Sequence, residues 1–222
     1  MRYLWQIKDE FARAEKNTSA PLMGDTVQAL FWNAVDLRAP DVWLRQKELG
    51  IWRAWTWHET GQIVKEIAMG LNALGMQVQD RVSILSNTRA EWVWSDLAIL
   101  SLCGTSAGIY PTDSVSQVHY ILSDSQSRFL FVEDDEQLDK ALEALPELPQ
   151  LVKIIVFDDK GLRHFEHPNV MSLDALRQLG AKALAQDPHR LETIREAASP
   201  EHLAILVYTS GTTGKPKGAM HH

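Results

Sequence analysis

Between residues 81 and 157, short apolar runs alternate with amphipathic stretches, and this alternation limits the fold more than any other feature of the chain. RVSILS (81–86), TSAGIY (105–110), RFLFVE (128–133) and VKIIVF (152–157) read as strands buried on both faces. Helical patterns lie between them at 91–102, 114–124 and 136–145, the second opening on a Ser114-x-x-Gln117 cap. Strands of this kind must be covered on both sides, which is the condition of a parallel sheet assembled from βαβ units. LAILVY (203–208) adds one more buried strand, which runs into a polar, glycine-rich loop.

Upstream, residues 26–37 place Val27, Leu30, Phe31, Ala34 and Leu37 at helical spacing. Two short strands follow at 42–47 and 51–57, with Glu48-Leu49-Gly50 as the turn. Thr56-Trp57-His58-Glu59 reads as a capping box. Its helix buries Ile63, Ile67, Leu71 and Leu74 and ends at Gly75 in a left-handed cap. After Gly161 the pattern loosens, then becomes helical at 172–186 and 189–197 before Ser199-Pro200 breaks it. No stretch rich in Pro, Gly or Ser separates independent domains. The expectation is one α/β body, a mostly parallel sheet covered by helices.

The chain has 222 residues, 45% apolar and 23% charged, with a net charge of −7. That balance disfavours nucleic acid and anionic membrane as general partners, because both demand a basic surface. LAILSLCG (97–104) is the nearest approach to a spanning helix and falls far short of about 20 apolar residues. The amino terminus lacks the apolar core and cleavage site of a secretory signal. Cys103 is the single cysteine, so neither an internal disulfide nor a cysteine metal cluster can form. A cytoplasmic protein is expected, with peripheral contact at the inner membrane face left open.

The chemistry concentrates in Tyr208-Thr209-Ser210-Gly211-Thr212-Thr213-Gly214-Lys215-Pro216-Lys217-Gly218. Glycines let backbone amides converge on an anion without a Cβ in the way. Four hydroxyls add donors, and two lysines add charge suited to a polyphosphate. A Walker A loop is excluded, because Thr209 stands where that pattern needs glycine and Pro216 follows the lysine. Composition alone leaves a plain polar surface loop as the competing reading.

The order of these residues decides between them. Thr209 to Gly218 resembles, without a break, the phosphate-binding signature of the adenylate-forming superfamily, which includes acyl-CoA synthetases, luciferases and peptide-synthetase adenylation domains. Gly50-Ile51-Trp52 with Trp55-Thr56-Trp57-x-Glu59 is similar to long-chain fatty acyl-CoA synthetases. So are Ser86-Asn87-Thr88-Arg89-Ala90-Glu91-Trp92, Gly108-Ile109-Tyr110-Pro111-Thr112, and Val132-Glu133-Asp134 with Gln137 and Lys140. The resemblance covers most of residues 25–220.

It implies ATP-dependent activation of a long-chain fatty acid to an acyl-adenylate, then transfer to coenzyme A, with magnesium as cofactor. By motif position Thr209 would be a magnesium ligand, and Ser210, Gly211, Thr212, Thr213 and Gly214 would wrap the β- and γ-phosphates. Lys215 would be the catalytic charge near the leaving pyrophosphate, with Lys217 as a second candidate. The family's later motifs, including an aromatic-Gly-x-Thr-Glu segment and a mobile carboxy-terminal domain, are expected downstream. Residues 1–24 then read as a lead segment, and 25–222 as the amino-terminal portion of the large domain, inactive alone. The alternatives are adenylation of another carboxylate (short-chain, aromatic or amino acid) and a non-catalytic nucleotide-binding module.

Four other features carry plainer readings. All eight tryptophans precede residue 95 and read as core or rim packing rather than a ligand stack. His164-Phe165-Glu166-His167 lies in a loop without helical register, so it reads as surface rather than a metal site. Cys103 reads as inert core in an apolar helix. Glu133-Asp134-Asp135-Glu136 reads as solvated charge near a helix start.

Overall fold

The computed structural model describes residues 22–209 and 216–222. They form two compact units that divide between Gly61 and Gln62.

In the first unit, α1 (Val27–Leu37) is followed by the antiparallel hairpin β1 (Val42–Glu48) and β2 (Ile51–Thr56), then by the start of α2 (Trp57–Ala73). The hairpin turns through Leu49 and Gly50, both at positive φ (47° and 84°), as a two-residue loop between right-twisted strands requires. Thr26 caps α1, its side chain accepting from the Ala29 amide at 3.3 Å. The buried face of α1 is Gln28, Phe31, Trp32 and Ala34, whereas Val27, Leu30 and Leu37 are exposed. The expected stripe holds at Phe31 and Ala34 and shifts elsewhere to Gln28 and Trp32, the Trp32 ring meeting Phe31 edge-on. Trp43 stacks on Trp57 with centroids 4.4 Å apart, and Phe31 lies against both. The capping box forms as read: Glu59 accepts from the Thr56 amide at 2.8 Å, and Thr56 Oγ1 accepts from the Glu59 amide at 3.1 Å. The Thr56 amide and, at 3.0 Å, the Thr56 hydroxyl both donate to the carboxylate and hold the Glu59 carboxyl below the ordinary carboxylate range.

The second unit carries the expected sheet. Its strands are β3 (Arg81–Leu85), β4 (Thr105–Ile109), β5 (Phe129–Val132), β6 (Lys153–Val156), β7 (Val170–Ser172), β8 (Ile205–Thr209) and β9 (Lys217–His221). They are ordered β7-β6-β5-β3-β4-β8-β9, all parallel except β9, which returns antiparallel to β8. The helices are α3 (Ala90–Ser101), α4 (Val115–Ser125), α5 (Asp135–Ala144), α6 (Leu173–Gln186) and α7 (Arg190–Arg195). The sequence reading did not include β7 or β9.

Each core strand is filled on both faces. Leu85, Leu130, Val132, Ile154 and Val156 pack with Val118, Ile121 and Leu122 of α4 and Leu138 and Ala141 of α5. By strand alternation Val82, Ile84, Phe129, Phe131 and Ile155 form the opposite buried face. The Ser114–Gln117 capping box opens α4 as expected. α3 ends at Ser101, so Cys103 lies just past the helix, buried and with φ 55°. Gly75 has φ 90°, the left-handed cap read for α2.

Two features depart from a uniformly buried sheet. β8 is only partly buried, with Val207 41% exposed, because it lies toward the edge and is covered by a short antiparallel strand instead of another βα unit. At the other end β7 is three residues long, pairs with β6, and leads directly into α6, whose cap is Ser172.

Candidate functional site

Because β8 runs parallel to β4, its carboxyl end falls on the same edge of the sheet as those of β3, β5 and β6. Open α/β sheets bind ligands outside that edge. Thr209 is the last residue of β8, and Lys217 the first of β9; they are directly paired across the antiparallel ladder. Both are exposed. Strand alternation puts them on one face, and Tyr208 and Gly218, the next pair, on the other. The positions read as Ser210, Gly211, Thr212, Thr213, Gly214 and Lys215 lie outside the described residues. Their flanks are described: a hydroxyl on one strand end and an ammonium on the other, adjacent across the hairpin.

Tyr208 turns toward α4. Its hydroxyl donates to Asp124 Oδ2 at 2.8 Å, and its ring lies over Gly218, where a Cβ would come within 3.2 Å of the ring. Burial, followed by the Asp124 carboxylate, pushes the Tyr208 phenol well above its ordinary value, so it stays a donor. Tyr120, one turn before Asp124, donates to the Pro216 carbonyl at 2.9 Å.

A second cluster lies on the same edge and went unread in the sequence. β3 connects onward to β4 on one side and β5 to β6 on the other, so the β3/β5 boundary is the switch point where a doubly wound sheet opens a crevice. Glu133 fills that place. Its Oε2 accepts from the Asn87 amide at 2.7 Å, from Asn87 Nδ2 at 3.0 Å and from Ser86 Oγ at 3.2 Å. Arg89 grips Glu91 at 2.7 and 3.0 Å, approaches Glu133 at 3.6 Å, and lies over the Phe157 ring at 6.0 Å. The Glu91 hydrogen bonds raise the Arg89 pKa further. Asp158 pairs with Lys160 at 3.0 Å, and that contact lowers its pKa.

Glu133 is therefore no solvated member of an acidic run. It is half-buried and organises the loop after β3, while Asp134 caps α5 and Asp135 and Glu136 stay exposed. Ser86-Asn87-Thr88-Arg89 and Val132-Glu133 each stood out in the sequence, but only the β5-β3 adjacency reveals that they form one unit. Lys140 donates to the Pro111 carbonyl, tying the turn after β4 to α5.

Cys103 is buried, and burial raises its thiol pKa, which suits inert core. Among the described residues no three His, Cys, Asp or Glu converge as a metal group, and the 164–167 loop holds none. The exposed Thr209 hydroxyl is one hard oxygen donor, of the kind a magnesium ion would accept. No helix among the described residues is long and apolar enough to cross a membrane.

A doubly wound parallel sheet, with the strand ends Thr209 and Lys217 flanking a hydroxyl-, glycine- and lysine-rich sequence at its carboxyl edge, is an α/β architecture of the kind that takes nucleotides at that edge. The family model described as "AMP-binding enzyme" matches residues 33–222, and the chain belongs to that family. It is 37% identical over 180 residues to the long-chain-fatty-acid–CoA ligase FadD15 of Mycobacterium bovis, covering 81% of this chain and 28% of that protein. Against the long-chain-fatty-acid–CoA ligase ACSBG2 of Xenopus laevis it is 30% identical over 220 residues, 98% of this chain and 29% of the relative. The chain thus spans under a third of the length of these curated relatives. The fold is shared with the anthranilate CoA ligase AuaEII, solved with anthranoyl-AMP, at a TM-score of 0.73 and 24% identity over 92% of this chain and 36% of that one.

Proposed function

We propose that the full-length protein is an AMP-forming long-chain fatty acid–CoA ligase. The observation that carries this reading is the β8–β9 hairpin, which brackets the signature residues with Thr209 and Lys217 paired at its base. Named relatives that are long-chain-fatty-acid–CoA ligases support the substrate class.

The fatty acid carboxylate attacks the α-phosphorus of ATP, the bond to the bridging oxygen breaks, and pyrophosphate leaves. The thiol of coenzyme A then attacks the acyl carbon, and AMP departs with the bond electrons. Neither step needs a protein nucleophile, so the chain's task is placement and neutralisation of charge. Ser210, Gly211, Thr212, Thr213 and Gly214 wrap the β- and γ-phosphates with amide and hydroxyl donors. Lys215 places positive charge beside the departing pyrophosphate, and Lys217 adds charge at the strand end. The Thr209 hydroxyl would hold magnesium, which when bound would neutralise phosphate charge as a Lewis acid.

Steady-state adenylation by the full-length protein tests these roles. Lys215→Ala or Thr209→Ala should slow adenylation by about 100-fold, the scale of a lost charge-stabilising donor, with little change in Tm. Unchanged rates in both variants would remove the residues from the reaction. A panel of carboxylates tests the substrate class: preference for aromatic or short-chain acids over long-chain ones would replace the fatty acid reading.

A further inference from the structure

We propose that Tyr120 and Asp124 of α4 are positioning residues for the nucleotide, fastening the two strand ends between which residues 210–215 run. This deepens the adenylation reading and rests on it.

The two side chains are four residues apart on one helix and so face the same way. Tyr120 donates its hydroxyl to the carbonyl of Pro216, and Asp124 accepts the hydroxyl of Tyr208. Pro216 directly follows Lys215, and Tyr208 directly precedes Thr209. One helix therefore holds the chain on both sides of the signature, with a donor for one end and an acceptor for the other. The helix is itself fixed, by its capping box and by buried Val118, Ile121 and Leu122.

The Tyr208 side chain leaves the hairpin on the face opposite Thr209 and Lys217, and Tyr120 reaches Pro216 from the same helix that Tyr208 meets. The fastening thus acts from behind and leaves the nucleotide side open. Gly218 belongs to the same device, since it gives the Tyr208 ring room to cross its strand and reach Asp124. Fixing the end points of a binding segment before the ligand arrives reduces the ordering cost of binding, and cutting either tie returns that cost to the ATP equilibrium.

Equilibrium dialysis of magnesium ATP with the full-length protein tests the proposal. Tyr120→Phe and Asp124→Ala should each raise the Kd for ATP about three- to tenfold, the effect of one net hydrogen bond. Binding of a long saturated fatty acid should stay unchanged in both. Asp124→Asn keeps an oxygen that accepts from Tyr208, so it should recover most of the ATP affinity. ATP affinity equal to the parent's in both Tyr120→Phe and Asp124→Ala would overturn the proposal. So would a parallel loss of ATP and fatty acid binding that tracks a falling Tm, which would make α4 merely structural. A parent protein that binds no ATP would instead contradict the adenylation reading, a result distinct from either.

Discussion

Asp96 is a buried carboxyl that makes stability fall as pH rises. It lies on α3 with one carboxylate oxygen buried and unbonded, near the Ser106 hydroxyl of β4. Burial pushes its pKa up, against the smaller opposing effect of the Ser106 hydroxyl. A carboxyl whose folded pKa is raised contributes stability that is fully present below its unfolded value of about 3.9 and is lost as pH rises through the folded one. Asp96→Asn cannot ionise, so it should raise Tm at about pH 8 relative to the parent and match it near about pH 4. Thermal denaturation at the two pH values checks this; an Asn variant less stable at both would mean that Ser106 needs the carboxyl itself. Glu133 marks the limit of residue-level reading. Its charge and position suggested solvent, and only strand order reveals the Asn87, Ser86 and Arg89 partners that hold it.

At the scale of elements, α2 and α6 approach so closely that only glycine fits at the contact. A Cβ on Gly180 would land on the Glu66 carbonyl oxygen, and one on Gly70 on the Leu176 carbonyl oxygen. The approach is flanked by Arg177, which pairs with Glu66 at 2.8 Å, and by Lys65, which reaches Glu192 of α7 at the same distance. Alanine is the better helix former by about 1 kcal/mol, yet Gly180→Ala should destabilise by about 3 kcal/mol, because backbone atoms cannot give way. Urea denaturation measures the sign directly, and a stabilised variant would mean that the two helices can separate at no cost. Helix starts such as Ser114–Gln117 and Thr56–Glu59 were legible, because a cap is a local exchange of hydrogen bonds. The face of α1 was legible only at Phe31 and Ala34, since Val27, Leu30 and Leu37 stay exposed while Gln28 and Trp32 are buried. β9 was also missed. Lys217-Gly218-Ala219-Met220-His221 has little intrinsic strand preference and becomes a strand because β8 offers its free edge.

For the molecule as a whole, the alternation of apolar strands and amphipathic helices specified the doubly wound sheet, but not the order of its strands, which depends on long-range pairing. That order places two sets of residues on one carboxyl edge: the Glu133–Arg89 network at the switch point and the hairpin carrying the signature. In a chain of net charge −7, Lys215 and Lys217 put two positive charges within three residues, which is what the proposed polyphosphate site would require. The signature was legible as a motif, whereas its attachment to α4 through Tyr120 and Asp124 is a tertiary fact. The most direct measurement is ATP–pyrophosphate exchange by the full-length protein with and without a long-chain fatty acid. The predicted result is exchange that depends on the fatty acid and needs no coenzyme A. ATP binding without exchange, whatever carboxylate is supplied, would contradict adenylation and leave a nucleotide-binding module in its place.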